Sequence, residues 1–133
     1  MMIIDCYDVR TGKRHTMELS YYYEGLRVKG ITLNIVGVCT FVIKYKRLGL
    51  IRAMINDILH GNMVHSIYWR SYPDYVSGGD IRIAFTTSRI HTDKVDNLVI
   101  HINGGKSLLM CVNNEYLGRL RGFINTNMHY YDN

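Results

Sequence analysis

The chain has 133 residues, of which 47% are hydrophobic and 20% are charged, and Pro73 is its single proline. This composition excludes a disordered or fibrous protein, and the length suffices for one domain that buries about two thirds of its unfolded surface. Sixteen Lys and Arg against eleven Asp and Glu give a formal net charge of +5, and no apolar run approaches the ~20 residues of a membrane helix. We therefore expect a single domain over residues 1–133 that is soluble and cytoplasmic, without membrane contact.

Alternating apolar and polar residues predict four antiparallel strands in the first part of the chain. Each strand is separated from the next by glycine-containing turn residues. The predicted strands cover residues 2–9, 14–23, 26–36 and 39–46.

The connection between the third and fourth strands determines which basic side chains meet. If Gly37-Val38 is a two-residue turn, residues whose numbers sum to 75 lie opposite each other. That register pairs Lys29 with Lys46 and Ile31 with Lys44. On it, four basic residues share one face at the open end of the hairpin: Arg27, Lys29, Lys44 and Lys46.

Two helices and four further strands are predicted in the rest of the chain. Apolar residues at spacings of three and four predict the first helix over residues 47–60, with a stripe of Leu48, Ile51, Met54, Ile55, Ile58 and Leu59. A second helix is predicted over residues 114–125, and we expect the tail from Thr126 to be frayed. Strands are predicted over residues 63–70, 81–86, 98–102 and 108–112, with residues 71–80 as a long connection. The order predicts an α+β domain, a mainly antiparallel sheet of six to eight strands with both helices packed on it.

No residue pattern predicts catalysis, a metal site or a cofactor. The six histidines never occur at an i,i+4 spacing on a helix or beside a Cys-x-x-Cys. Cys6, Cys39 and Cys111 are widely spaced and odd in number, which favours reduced core thiols over disulfides. We therefore expect a non-enzymatic protein.

The positive charge is concentrated in the stretch from Leu26 to Arg52, which contains no acidic residue. The rest of the chain contains ten Lys and Arg and eleven Asp and Glu, so its net charge is close to zero. Aromatic residues gather at the start of the long connection, where Tyr72 and Tyr75 lie. The residues predicted to bind a partner are Arg27, Lys29, Lys44, Lys46, Arg47, Arg52, Tyr72 and Tyr75.

These features predict a binding protein for an anionic macromolecule, nucleic acid or a nucleoprotein complex, that uses the basic hairpin. An alternative is an inhibitor encoded by a phage, comparable to an anti-CRISPR protein, which would contact a host nuclease or defence protein in the bacterial cytoplasm through the aromatic loop. A second alternative is a protein that binds or sequesters nucleotides, which would require a concave pocket.

Overall fold

The computed structural model describes residues 1–60, 68–88, 97–103, 107–112 and 114–132. Within them the chain forms eight strands and two helices, and four strands followed by a helix occur twice. In chain order these are β1 (Met2–Asp8), β2 (Arg14–Glu24), β3 (Arg27–Ile35), β4 (Cys39–Lys44), α1 (Tyr45–Leu59), β5 (Tyr68–Pro73), β6 (Asp80–Ser88), β7 (Asn97–Asn103), β8 (Ser107–Val112) and α2 (Asn114–Asp132). The predicted α+β class is confirmed. No described helix combines the length and apolar character that a membrane crossing needs.

The eight strands form one sheet in the order β4-β3-β2-β1-β8-β7-β6-β5, and all neighbouring pairs are antiparallel. Within each half the neighbours are consecutive in sequence, and the pairing of β1 with β8 joins the halves. Alternation along the strands gives the sheet one apolar face, on which Met17 lies opposite Ile35 and Leu19 opposite Leu33.

Both helices cover this apolar face. The predicted stripe of α1 is confirmed, since Leu48, Ile51, Met54, Ile55 and Ile58 are buried and Leu59 packs against the same core. Leu117, Leu120 and Ile124 form the corresponding buried side of α2. The helices also contact each other, so a single core lies between them and the sheet.

Helix α2 continues to Asp132, well beyond the predicted end at Asn125. The expectation of a frayed tail was wrong because Asn127 is fully buried and its amide Nδ2 donates a hydrogen bond to the Gly30 carbonyl at 2.6 Å. Met128 packs against the core beside it. Packing against β3 therefore holds the last turns of α2.

The predicted register of the β3–β4 hairpin was wrong by one residue. The strands pair Ile31 with Ile43 and Gly30 with Lys44, so that three residues, from Val36 to Val38, connect them. Gly37 has a φ of 79°, and the Val38 N–H donates to the Ile35 carbonyl at 2.8 Å. This is a turn in which glycine supplies the positive φ. The predicted register would have turned Lys44 toward the core, whereas the observed one buries Ile43 and exposes Lys44.

The two outer strands of the sheet, β4 and β5, meet each other at one end. The Tyr75 N–H donates to the Thr40 carbonyl at 2.9 Å, and the Thr40 N–H donates to Oδ1 of Asp74 at 3.0 Å. The rings of Phe41 and Tyr72 pack with centroids 5.3 Å apart. The sheet is therefore curled until its edges touch.

Gly30 allows β3 and β4 to approach each other closely, and replacing it should destabilise the fold. A Cβ built on Gly30 would overlap the Ile43 carbonyl oxygen, while one built on Gly118 of α2 meets nothing within 4 Å. We expect Gly30→Ala to lower the free energy of unfolding by about 1–3 kcal/mol, and Gly118→Ala to raise it by up to about 1 kcal/mol. Urea denaturation followed by circular dichroism measures both, and an unchanged midpoint for Gly30→Ala would contradict the close approach.

Candidate functional site

Beyond Thr40 the facing edges of β4 and β5 enclose a cavity of about 470 Å³, which we call the seam groove. One wall comes from the end of β4 and the first turn of α1, and the other from β5. The groove exists because no ladder joins β4 to β5 in the described residues. Its lining comprises Tyr22, Val42, Lys44, Lys46–Arg47, Arg70–Pro73 and Tyr75.

Four cationic side chains from three elements line the seam groove. Lys44 ends β4, Lys46 and Arg47 lie in the first turn of α1, and Arg70 lies in β5. Among the described residues of the lining none is acidic. The first turn of α1 also lacks an acidic residue, and Lys44 at its N-cap makes no capping side-chain bond. The partial positive charge of the helix N-terminus therefore adds to the charge of the side chains.

Glu24 is an acidic residue that contacts one member of this cationic set, Lys44. Its Oε1 lies 3.2 Å from Nζ of Lys44, and the Tyr22 hydroxyl donates to the same oxygen at 3.4 Å. The side chains of Lys44 and Glu24 are 66% and 44% exposed, and an ion pair in water contributes at most about 1 kcal/mol. Such a pair leaves Lys44 able to exchange its partner for another anion.

Three tyrosines line the groove in different environments. Tyr72 is buried against Phe41, and the Arg70 guanidinium lies 5.8 Å from the centre of its ring. Burial raises the pKa of Tyr72, while the charges of Arg70 and Arg47 partly oppose that rise. Tyr22 is half-buried, and Tyr75 is 61% exposed. Tyr72 therefore belongs to the wall of the groove, whereas Tyr75 is open to solvent.

The seam groove brings together five of the eight predicted partner-binding residues: Lys44, Lys46, Arg47, Tyr72 and Tyr75. The other three lie outside its lining. Arg27, at the start of β3, lies opposite Glu24 in the strand register. Lys29 is the extra residue of a β-bulge at the point where the register of β2 and β3 shifts. Arg52 points to α2, where its Nη1 donates to Oδ1 of Asn125 at 3.3 Å. The predicted convergence of Arg27 and Lys29 with Lys46 depended on the register that the structure corrects.

Arg70 and Tyr22 line the groove but were not predicted. Arg70 lies within the aromatic segment that begins at Tyr68, so the clustering of aromatic residues was the available signal. Nothing in the sequence indicates that this segment lies beside β4, because the two strands are joined through α1 and are not a hairpin.

Asp74 fixes the closed end of the seam groove. Its Oδ1 accepts from the backbone N–H groups of Thr40 and Val76, both at 3.0 Å, and its Oδ2 accepts from Oγ of Ser77 at 2.8 Å. The residue is 4% exposed. Burial alone would raise the pKa of this carboxyl, but the hydrogen bonds lower it below its ordinary value. Asp74 is therefore ionised at neutral pH and ties β4 to the turn after β5.

Cys39, which begins β4, and Cys6, in β1, are buried thiols with raised pKa values. Cys6, Cys39 and Cys111 are buried free thiols, as predicted. Burial, and then the charge of Asp74, raise the pKa of Cys39 to about 12, and burial followed by the charge of Asp5 raises the pKa of Cys6 to about 12. Both side chains are protonated at neutral pH, and a protonated thiol is a poor nucleophile. Among the described residues no three His, Cys, Asp or Glu side chains form a group that could hold a metal.

Asp74 should make the fold sensitive to acid. Its native pKa is lowered, so its contribution is complete above the unfolded-state pKa of about 3.9 and is lost as the pH falls through the native pKa. We expect Asp74→Asn to lower the free energy of unfolding at pH 7 by about 1–3 kcal/mol, and to differ less from the parent protein at pH 2–3. Asp80→Asn, at an exposed carboxyl, is the control and should change stability little. Urea denaturation at both pH values measures this, and an equal loss at both would contradict the role of the charge.

The seam groove combines a closed end fixed by Asp74, a cationic lining and the exposed residue Tyr75. Comparisons with protein-family models, curated proteins and solved structures find no match to this chain.

Proposed function

We propose that this protein is a non-enzymatic binder of an anionic macromolecule, nucleic acid or a nucleoprotein complex, and that the seam groove is its binding site. The observation that carries the proposal is the convergence of Lys44, Lys46, Arg47 and Arg70 on one cavity whose described lining has no acidic residue. These cations come from both halves of the chain, so the fold itself assembles them.

The positions of these cations lower the stability of the protein when no ligand is bound. Like charges that are close together repel each other, and cations at a helix N-terminus oppose the helix dipole by about 0.3–1 kcal/mol each. Lys46 and Arg47 occupy such positions in α1. A bound polyanion would remove both costs and would release the counterions that surround its phosphates. The site therefore gains most from a ligand with several negative charges.

A second candidate function is the inhibition of a host protein by direct contact. Tyr75 and Val76, at the tip of the turn between β5 and β6, are 61% and 69% exposed. Exposed aromatic residues beside arginine are frequent at protein interfaces. In either function we expect the protein to act in a reducing compartment such as the cytoplasm, because its three cysteines are free thiols.

Two cations from opposite walls of the seam groove provide the test, Lys46 in α1 and Arg70 in β5. The double variant Lys46→Gln, Arg70→Gln should weaken nucleic-acid binding and flatten the slope of log affinity against log salt concentration by about one to two units, since each phosphate contact contributes roughly 0.7–0.9. Fluorescence anisotropy across a salt series measures the slope.

The matched control is Lys13→Gln, Arg119→Gln, which removes the same charge from exposed positions outside the groove. We expect this control to keep most of the affinity and nearly the parent slope. Equal effects of the two double variants would show that net charge and not the groove governs binding. No binding of any nucleic acid at low salt would defeat the proposal and favour the protein-directed candidate.

A further inference from the structure

We infer that the seam groove takes single-stranded nucleic acid, an unpaired stretch whose phosphates contact the cations while a base stacks on Tyr75. This inference rests on the proposed function and narrows it to one form of nucleic acid. Three features of the groove support it: its concave shape, its exposed tyrosine ring and the strand edge that faces it.

The concave shape of the groove favours a flexible strand over a duplex. Its cations project from opposing walls, Lys46 from α1 and Arg70 from β5, into a space of about 470 Å³. A duplex carries its phosphates on the outside of a stiff, convex cylinder and is read by elements that project into its grooves. A single strand can bend its backbone into a cleft, which is the usual geometry of sites for unpaired strands.

Tyr75 provides a stacking surface on an anchored backbone. The residue is 61% exposed and lines the groove, and its backbone N–H donates to the Thr40 carbonyl. The preceding residue, Asp74, is held by the hydrogen bonds described above. A ring on such a rigid segment loses little conformational entropy when a base packs on it. Bases offer a free face for such packing when they are unpaired and splayed out of a helix.

The edge of β4 supplies polar groups that suit unpaired bases. Both backbone groups of Thr40 point toward the turn after β5, as their bonds to Tyr75 and Asp74 show. In an antiparallel strand the N–H and C=O groups of every second residue point to the same side. The N–H and C=O of Val42 therefore point to the same side as those of Thr40. Val42 lines the groove. Its groups can therefore bond to the Watson–Crick edges of bases, which a duplex hides within its pairs.

Direct binding measurements with three nucleic acids test this inference. Labelled single-stranded DNA, single-stranded RNA and the duplex of the same sequence are titrated with the full chain by fluorescence anisotropy. At least one single strand should bind about tenfold or more tightly than the duplex. A preference between DNA and RNA would then identify the source of the strand, and either preference supports the inference.

Variants at exposed tyrosines test the stacking role. Tyr75→Ala should weaken single-strand binding about tenfold, since stacking on one ring contributes about that factor or more, while Tyr75→Phe should retain it. Tyr23→Ala is the matched control, because Tyr23 is 54% exposed but lies outside the groove lining. Circular dichroism and the melting temperature verify that each variant is folded.

The possible failures are distinguishable. Equal affinity for duplex and single strand, with no effect of Tyr75→Ala, would overturn the inference and leave the proposed function intact. Competition by a mononucleotide as effective as by the strand would also overturn it, in favour of nucleotide binding. No binding of any of these ligands at low salt would overturn the proposed function as well.

Discussion

The hydrogen bond from the Thr40 N–H to the Asp74 carboxylate is the contact on which the shape of this molecule depends. An antiparallel sheet of eight strands has two edges, and exposed edges invite pairing with other chains. Here the edges meet through Asp74 and the bond from Tyr75 to Thr40. Because these contacts lie at one end of β4 and α1 begins at the other, the edges enclose a groove instead of forming a ladder.

The two helices make this curled sheet possible because they fill its apolar face and connect its halves. Helix α2 follows β8 but contacts β3, where Asn127 donates to the Gly30 carbonyl beside the β-bulge at Lys29. Oδ1 of Asn127 is buried and makes no hydrogen bond in the described part of the chain. Burying such an oxygen costs free energy. The bond of Asn127 to Gly30 and the packing of Met128 against the core act in the opposite direction.

Local periodicity predicted most elements of this fold, and longer-range relations determined what it did not predict. The strand predicted over residues 63–70 is observed as Tyr68–Pro73, which extends into the predicted connection of residues 71–80, and residues 63–67 lie outside the described part of the chain. The stripe of α1 and the alternation in β2 depend on residues a few positions apart, so the sequence displays them directly. The hairpin register depended on whether Val36 joins the turn, and a difference of one residue there moved Lys44 to the opposite face. The meeting of β4 with β5 could not be predicted, because no sequence pattern encodes which edges touch. For the same reason only part of the groove lining could be predicted, and Arg70 was not among the predicted binding residues.

The cations of the seam groove depart from the usual charge preference of a helix N-terminus. Lys46 and Arg47 lie in the helix turn where acidic residues would be favoured. Arg70 then adds a further charge from the opposite wall. Departures from local consistency that lower stability are expected where a function requires them. The side chains that oppose the dipole at the N-terminus of α1 are thus the same ones to which we assign a role in binding an anion.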